Sequence, residues 1–457
     1  MSAHSTEVER SISRRSGASS QDEKPFSKSF FDKNNAVARA IYIKVLFGGT
    51  FSTILIIFAI FPFFWGALWK TPVRNLNGWV VDFDGGLVGQ TVAQALTSQQ
   101  VSLLGKVTWT AIPASRFPGG AVELAAEVQE ERTWAAIAIH SGSTTRLQAS
   151  YTNPNASYDG SEAITIYAVE ARSENAYRSL IRPSAQAVLE KISQTFALQA
   201  MSQLASSANL TALALNSPQT VLTPIAYTFD NLIPFDQPVA TAVTFVGLIY
   251  QLILSFFIVM ICSAARDAAG FNRTLSLRSL ILTRYASSFG AYFIVSLFNA
   301  LLSLAFQLDF TRKFGHGGFV VFWMLNWVGM LAVGLALESL LTLLTPQFMP
   351  FFMIMWIIIN VSVCIFPIEV MPVVFRYGYA VPFYNISRAV RSIVYGTKNT
   401  IGENFGILIA WAAISCITLA LIQWFIRRRD VANADLVPPQ SEKDEPETTV
   451  GEEKQQA

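Results

Sequence analysis

The chain has 457 residues and a formal net charge of only +2, from 33 basic and 31 acidic side chains. Hydrophobic residues make up 52% of it and charged residues 14%, well below the roughly 25% of charged residues usual in soluble domains. So apolar a chain is not an ordinary soluble protein, and so small a net charge does not indicate a nucleic-acid partner. We therefore expect a membrane protein whose partners include membrane lipids.

Six apolar windows without charge dominate the pattern, and each is long enough for the about 20 helical residues that cross a bilayer. The fourth and fifth windows are separated by Glu338 alone, and as one helix they would be far too long for one span. Because proline interrupts a helical run, we predict a tight turn at Thr345-Pro346-Gln347 between two helices. The predicted spans are 45–69 and about 240–264, 285–307, 318–343, 349–367 and 405–426.

The predicted fold class is a polytopic α-helical membrane protein with six transmembrane helices, one before and five after a mixed α/β extracytoplasmic domain of residues 70–236. The five later helices fill residues 237–426. Residues 1–44 and the acidic segment 427–457 are polar and are predicted to be disordered cytoplasmic tails. Because the first apolar run follows a long charged tail, we expect it to be a retained signal-anchor.

Basic side chains indicate the orientation. They precede the first window, lie between the second and third, and follow the last, and six spans put these positions on one side. The positive-inside rule makes that side cytoplasmic, so both termini are predicted there. The outer loop 369–403 disagrees, because it carries Arg376, Arg388, Arg391 and Lys398, but the first helix and Arg427-Arg428-Arg429 support the orientation. We predict a multi-pass location in the plasma membrane.

The extracytoplasmic segment shows both helical and strand periodicities. Apolar runs predict strands at 78–85, 107–112, 134–139 and 147–152, and helical spacing predicts helices at 89–98, 118–132 and 183–215. The three cysteines all lie in predicted spans, so the domain is expected to fold without disulfides.

Three motifs of this segment occur in a recognisable order. They are Val80-Val-Asp82-Phe-Asp84 before a helix, Trp134-Ala-Ala-Ile-Ala-Ile139-His-Ser-Gly142 after a helix, and Ser150-Tyr-Thr-Asn153-Pro-Asn155. After one membrane helix and before five more, this order resembles the outer domain of ABC-2-type permeases and the related phage-infection-protein group. Fungal proteins with this layout form the nitrosoguanidine-resistance family, whose terminal signature the segment from Pro382-Phe-Tyr-Asn385 to Gly402-Glu-Asn-Phe-Gly406 resembles.

The resemblance covers roughly residues 40 to 430. It implies a fungal integral membrane protein associated with resistance to toxic compounds, with a link to the lipid asymmetry of the plasma membrane. It does not define a molecular activity.

Glu338 is the one acid well inside an apolar run and is our candidate intramembrane functional residue, because a carboxylate in a bilayer is costly. It could relay protons or bind a cationic solute. Snorkelling, or a pair with a cytoplasmic arginine, would also explain it.

Residues 385–397 are predicted to form an interfacial helix with an apolar stripe, and Arg388 and Arg391 lie off that stripe. We take both arginines as candidate contacts to lipid headgroups. Simple anchoring of the helix is an equally good interpretation.

Three sequons lie on the predicted outer side and are candidate glycosylation sites, at Asn155, Asn209 and Asn385. A fourth sequon at Asn272 is predicted to be cytoplasmic and to match by chance.

The sequence supports no catalytic or metal-binding constellation, so we expect no enzyme, no metal site and no cofactor. Asp82 and Asp84 share one face of a strand and could form an acid pair or cation site, but turn chemistry before Gly85-Gly86 is favoured. No phosphate-binding Gly-x-x-x-x-Gly-Lys-Ser/Thr loop is present, so a transporter of this kind would need a separate ATPase subunit.

Two functions remain open. The leading hypothesis is a protein that exports, or helps to export, toxic amphiphiles or lipids. The alternative is a regulator or scaffold without transport activity, which binds another transporter or flippase through its outer domain. A homo-oligomer is compatible with either.

Overall fold

The computed structural model describes residues 29–98, 106–205 and 210–435. It divides into two compact units, Met1–Pro62 and Phe63–Ala457, and the first consists, within the described part, mainly of helix α1 (Ala36–Leu68). This helix has Pro62 inside it and is about 50 Å long at 1.5 Å per residue. It begins at Ala36 instead of residue 45, because backbone hydrogen bonds extend the helix into the residues that precede the apolar run. Most of the two predicted disordered tails lies outside the described residues.

The outer domain is built on a five-stranded sheet. Its order is β2-β1-β3-β4-β5, in which β1 is parallel to β2 and β3, β3 is antiparallel to β4, and β4 is parallel to β5. The strands are β1 Leu76–Asp82, β2 Val107–Ala111, β3 Ala135–Ile139, β4 Ile164–Ala168 and β5 Tyr227–Asn231.

Helices cover both faces of this sheet. Every residue of β3 is buried, as expected for a strand with helices on both sides. The cluster around Ile137 and Ile166 packs against the helices Leu87–Thr97, Ser143–Thr152 and Arg182–Leu204, whereas the cluster around Ala136 and Val81 packs against the helix Ala121–Gln129. The helices of the domain are α2 Leu87–Thr97, α3 Ala121–Gln129, α4 Ser143–Thr152, α5 Arg182–Leu204, α6 Leu210–Asn216 and α7 Pro218–Leu222, with a short turn of helix at Glu174–Ala176.

The structure confirms three predicted strands and corrects the fourth. Residues 147–152, predicted as a strand, belong to helix α4. Gly142 has a left-handed backbone (φ 77°) that starts this helix, and Leu147 and Ser150 are buried three residues apart, which is a helical spacing. A six-residue stretch fits either period, so the sequence pattern was ambiguous. Of the predicted helix 183–215, the described residues Arg182–Leu204 and Leu210–Asn216 are helical.

Among the residues that the structure describes, five helices are long and apolar enough to cross a membrane: Ala36–Leu68, Ala242–Ala268, Leu277–Ala305, Thr311–Leu344 and Ile401–Ala432. The fifth predicted span, 349–367, corresponds to the shorter apolar helical segment Phe348–Val361. The chain is thus a polytopic helical membrane protein. The bundle contains α8 Gly247–Ala268, α9 Leu277–Ala305, α10 Gly318–Val361, α11 Pro382–Tyr395 and α12 Ile401–Asp435, with short helices at Phe271–Thr274 and Thr311–Phe314.

Helix α10 is helical throughout its 44 residues, yet it reverses direction. A straight rod of this length would measure about 66 Å. Instead, Gly329 lies against the Ile386 side chain, and Asn360 accepts a hydrogen bond of 3.2 Å from the Phe383 amide, so both arms of α10 meet neighbouring turns of α11. The chain therefore changes direction between Gly329 and Asn360. Residues 345–347 are themselves helical, so the tight turn predicted at Thr345-Pro346-Gln347 does not interrupt the helix.

The two ends of the bundle differ in their neighbours. At one end, Arg427 donates a hydrogen bond of 2.9 Å to the Leu275 carbonyl, which brings the terminal arginines beside the basic loop after α8. At the other end, Arg312 binds the Asp236 carboxylate through two hydrogen bonds of 2.9 Å, beside the exit of the outer domain. The basic loops thus share the end opposite the outer domain. That this end is cytoplasmic stays a prediction.

Truncating the centre of the sheet tests the outer-domain core. We expect Ile137→Ala, at a fully buried position, to lower the free energy of opening of the sheet by about 2–5 kcal/mol through lost burial and a residual cavity. Val122→Ala, at a position 81% exposed on α3, should change it by less than about 0.5 kcal/mol. Hydrogen exchange of the β3 amides, in the full chain in detergent, measures both; equal effects would contradict the assigned core.

Glycosylation tests the orientation. Asn155 is exposed in a turn where its side chain accepts from the Ser157 amide, so Asn155→Gln should remove one glycan and raise the gel mobility of the protein isolated from membranes. Asn272→Gln should leave the mobility unchanged. Loss of a glycan in the Asn272 variant would place the basic loops outside and reverse the predicted orientation.

Candidate functional site at the junction of the outer domain and the bundle

Helix α11 connects the outer domain to the helical bundle. Pro382 occupies its first turn, where a missing amide proton costs nothing, and Gly396 ends it in a left-handed conformation (φ 74°). Nearly every residue between these limits is buried. The predicted interfacial helix therefore exists, with bounds Pro382–Tyr395, but it lies inside the protein.

Arg391 is the most deeply buried charge of α11, with 8% of its surface exposed. Its guanidinium lies 2.6 Å from the Glu174 carboxylate, and its Nη1 donates a hydrogen bond of 2.9 Å to the Ala171 carbonyl. Ala171 and Glu174 follow strand β4, so this one side chain ties the end of the sheet to the bundle. A buried charge of this kind needs such partners, and removing one of them usually costs about 3–5 kcal/mol.

A second charge cluster lies one turn away. The Glu131 carboxylate contacts Arg388 of α11 at 3.2 Å and Arg172 of the outer domain at 3.6 Å. Arg172 also donates a hydrogen bond of 3.0 Å to the Thr133 carbonyl and stacks on Trp134, 3.5 Å from the ring centroid. We call Arg172, Glu131 and Arg388 the junction triad.

Glu131 has a left-handed backbone (φ 58°) just after α3. For a residue with a Cβ atom this conformation costs roughly 1–2 kcal/mol relative to the right-handed one. The surrounding structure holds it there, with its carboxylate between two guanidinium groups. Strain of this kind concentrates at functional sites.

A cavity of about 120 Å³ opens beside the junction triad. Its wall combines guanidinium groups with aromatic rings and one exposed acid, and it includes Trp134, Phe366, Glu369, Tyr379 and Tyr384 besides the arginines. Both the outer domain and the bundle contribute to it. The guanidinium groups of such a wall suit the polar head of an amphiphile, and its aromatic rings suit the apolar part.

The segment after α10 completes the junction. Val370 and Phe375 belong to the same buried cluster as the sheet residue Ile137. The Val73 amide donates a hydrogen bond of 2.8 Å to the Val370 carbonyl, and Asn175 donates one of 3.1 Å to the Ile365 carbonyl. Apolar packing and hydrogen bonds to backbone carbonyls therefore support the charge pairs.

The structure places the predicted site residues in two locations. Arg388 and Arg391 come together at the junction, but their guanidinium groups contact the carboxylates of Glu131 and Glu174, where we predicted lipid headgroups. The Asn385 amide is 2% exposed and donates to the Tyr379 and Val381 carbonyls, so a glycan has no room there and we withdraw that site. Asn209 lies outside the described residues.

Glu338 is fully buried at the opposite end of the bundle. Its Oε1 lies 2.7 Å from Arg284 and 2.9 Å from Arg266, and Arg284 also donates a hydrogen bond of 2.6 Å to the Glu338 carbonyl. Of the explanations that the sequence left open, the structure shows a pair with arginines of the basic segment.

The Asp82 and Asp84 carboxylates cap backbone amides. Asp84 accepts from the amides of Gly86 and Thr144 and, at 2.5 Å, from the Thr144 hydroxyl. Burial works to raise the pKa of Asp84, but these hydrogen bonds outweigh it and hold the pKa below its ordinary value. This is the turn chemistry favoured by the sequence. Among the described residues, no group of three or more His, Cys, Asp or Glu side chains is placed to hold a metal ion.

The partners of the α11 arginines were not predicted. Glu131, Arg172 and Glu174 lie far from α11 in sequence and have ordinary neighbours. The one local signal was the imbalance of the outer loop, whose arginines contradict the positive-inside rule unless acids of the outer domain neutralise them.

Comparisons with known proteins give a family. The chain is 27% identical over 450 residues to the uncharacterized endoplasmic reticulum membrane protein YJR015W of Saccharomyces cerevisiae, covering 90% of this chain and 86% of that protein. No solved structure matches. The resemblances to ABC-2-type permeases and to the nitrosoguanidine-resistance family stay expectations, as does the plasma membrane. The sequence profile described as Protein of unknown function (DUF3533) matches residues 50–417, so the chain belongs to that family.

Proposed function

We propose that this protein contributes to the movement of amphiphilic molecules, either lipids or toxic compounds, across or out of its membrane. The junction cavity is the place where the polar head of such a molecule is held. The observation that carries the proposal is the combination of guanidinium groups and aromatic rings in one cavity that both the outer domain and the bundle line.

The coupling between the two parts supports this proposal. A transporter with a large outer domain must convert movements of that domain into rearrangements of its helices. Here Arg391 binds the end of the sheet while α11 packs against both arms of α10. A displacement of the outer domain would therefore be transmitted through α11 to both arms of α10.

One observation favours the second candidate, a regulator or scaffold of another transporter, flippase or ATPase subunit. The junction arginines already have carboxylate partners, Glu131 for Arg388 and Glu174 for Arg391. A junction held in this way is a rigid platform that could present the outer domain to a partner chain.

Reconstitution separates the two candidates. We expect the purified full chain, alone in phosphatidylcholine–phosphatidylserine vesicles, to exchange fluorescent lipid between leaflets. Arg388→Gln should slow this exchange by about tenfold, because a charge-assisted contact of the cavity is lost. Arg376→Gln removes the same charge from an exposed position of the same outer segment and should leave the rate unchanged.

No lipid exchange and no flux of amphiphilic dyes by the wild-type chain would reject the transport proposal. Co-purification of a flippase or pump, whose activity falls when this chain is deleted, would then support the regulator.

The Glu174–Arg391 pair predicts a dependence on pH. Burial acts to raise the pKa of Glu174, but the adjacent Arg391 guanidinium outweighs it and the pKa lies below its ordinary value. The stability that the pair contributes is therefore present at neutral pH and is lost as the pH falls through the lowered pKa. Thermal unfolding of the full chain should show a fall towards acid that is smaller in Glu174→Gln. Glu162→Gln, at an exposed position, should follow the wild type.

A further inference from the structure

The end of the bundle opposite the outer domain contains a second charge cluster, formed by Arg266 of α8, Arg284 of α9 and Glu338 of α10. Each of the three side chains is more than nine-tenths buried. The Glu338 Oε1 atom lies 2.9 Å from Arg266 Nη2 and accepts a hydrogen bond of 2.7 Å from Arg284 Nε. We call these residues the bundle triad.

The bundle triad has one more positive than negative charge. Its other close partners are neutral, because Arg284 donates to the hydroxyl of Thr342 at 2.8 Å and to the amide oxygen of Gln423 at 2.5 Å. An uncompensated guanidinium inside an apolar bundle is strongly disfavoured, so a mobile anion is the expected complement.

Arg266 is the member with free donor capacity. Within the described residues its guanidinium contacts Glu338 alone, through Nη2. A planar guanidinium has five N–H donors arranged to grip a phosphate or carboxylate through two parallel hydrogen bonds. The remaining donors of Arg266 are therefore available to an anion from outside the chain.

The surroundings match a lipid better than a free ion. The exposed rim of this end has more bases than acids, with Arg273, Arg278, Arg428 and Arg429 against Asp267 and Asp430. Arg428 lies over the Trp424 ring at 5.7 Å. Large apolar side chains on the same turns of the helices are exposed, as needed beside acyl chains: Ile261, Leu282, Leu421 and Phe425. Basic pockets between membrane helices commonly hold anionic headgroups on the cytoplasmic side.

We propose that the bundle triad is a binding site for the phosphate of an anionic phospholipid from the leaflet at the basic end of the bundle. The phosphate accepts hydrogen bonds from Arg266 and neutralises the excess charge, while the acyl chains lie along α9 and α12. The proposal is independent of the function proposed for the junction cavity.

The test measures binding of phosphatidylserine and of phosphatidylcholine with the same acyl chains to the delipidated full chain in detergent, by native mass spectrometry. We expect the wild type to bind phosphatidylserine at least about tenfold more tightly, because its net negative charge offsets the excess charge of the triad, whereas the choline ammonium of phosphatidylcholine already offsets its own phosphate. Equal affinity for the two lipids would overturn the proposal. So would inorganic phosphate displacing phosphatidylserine at equal concentration, since the site would then recognise a free ion.

Two variants change the charge of the triad in opposite directions. Gln423→Glu supplies an internal carboxylate to Arg284 with little change in shape and should abolish the preference for phosphatidylserine. Glu338→Gln removes the only internal acid and should strengthen binding of phosphatidylserine several-fold. The charge argument therefore predicts opposite changes of affinity in the two variants, whereas misfolding would weaken binding in both. Weaker binding of phosphatidylserine by Glu338→Gln as well as by Gln423→Glu would refute the charge argument.

Gln148→Glu is the matched control. It introduces the same charge at an exposed position of α4 in the outer domain, far from the bundle triad. It should bind both lipids as the wild type does. A loss of the preference in this variant would show a response to overall charge alone and would overturn the assigned site.

Discussion

A buried arginine must find a partner, and that requirement organises the junction of this protein. Arg391 lies on a helix with almost no exposed surface, and the nearest acceptors, the Glu174 carboxylate and the Ala171 carbonyl, belong to the outer domain. Separating the two parts would leave a guanidinium and a carboxylate unpaired in an apolar setting. The ion pair therefore couples the orientation of the sheet to that of α11.

The same arrangement of charges occurs twice, with different surroundings. At the junction, Glu131 lies between Arg172 and Arg388 beside an open cavity; in the bundle, Glu338 lies between Arg284 and Arg266 among apolar helices. Two guanidinium groups around one carboxylate leave an excess positive charge in both places. At the junction, Glu369 in the cavity wall offsets it, whereas the bundle triad has neutral neighbours.

Periodicity was sufficient where a segment was long or fully apolar. The buried strand at Ala135–Ile139 and helix α2 follow from their own residues. It failed for α4, because six residues with two buried positions fit a strand and a helix equally well. Strands β4 and β5 were not predicted, since each depends on pairing across the sheet for its identity.

The amino-acid sequence by itself determined the class of the protein: apolar runs without charge require a lipid surrounding, and a polar segment with mixed periodicities requires a separate folded domain. It also singled out Glu338, Arg388 and Arg391 as charges that needed an explanation. Only the tertiary structure decided what those charges bind. Ion pairs join residues far apart in the chain, so their partners depend on how helices and sheet pack, and no local pattern of residues contains that information.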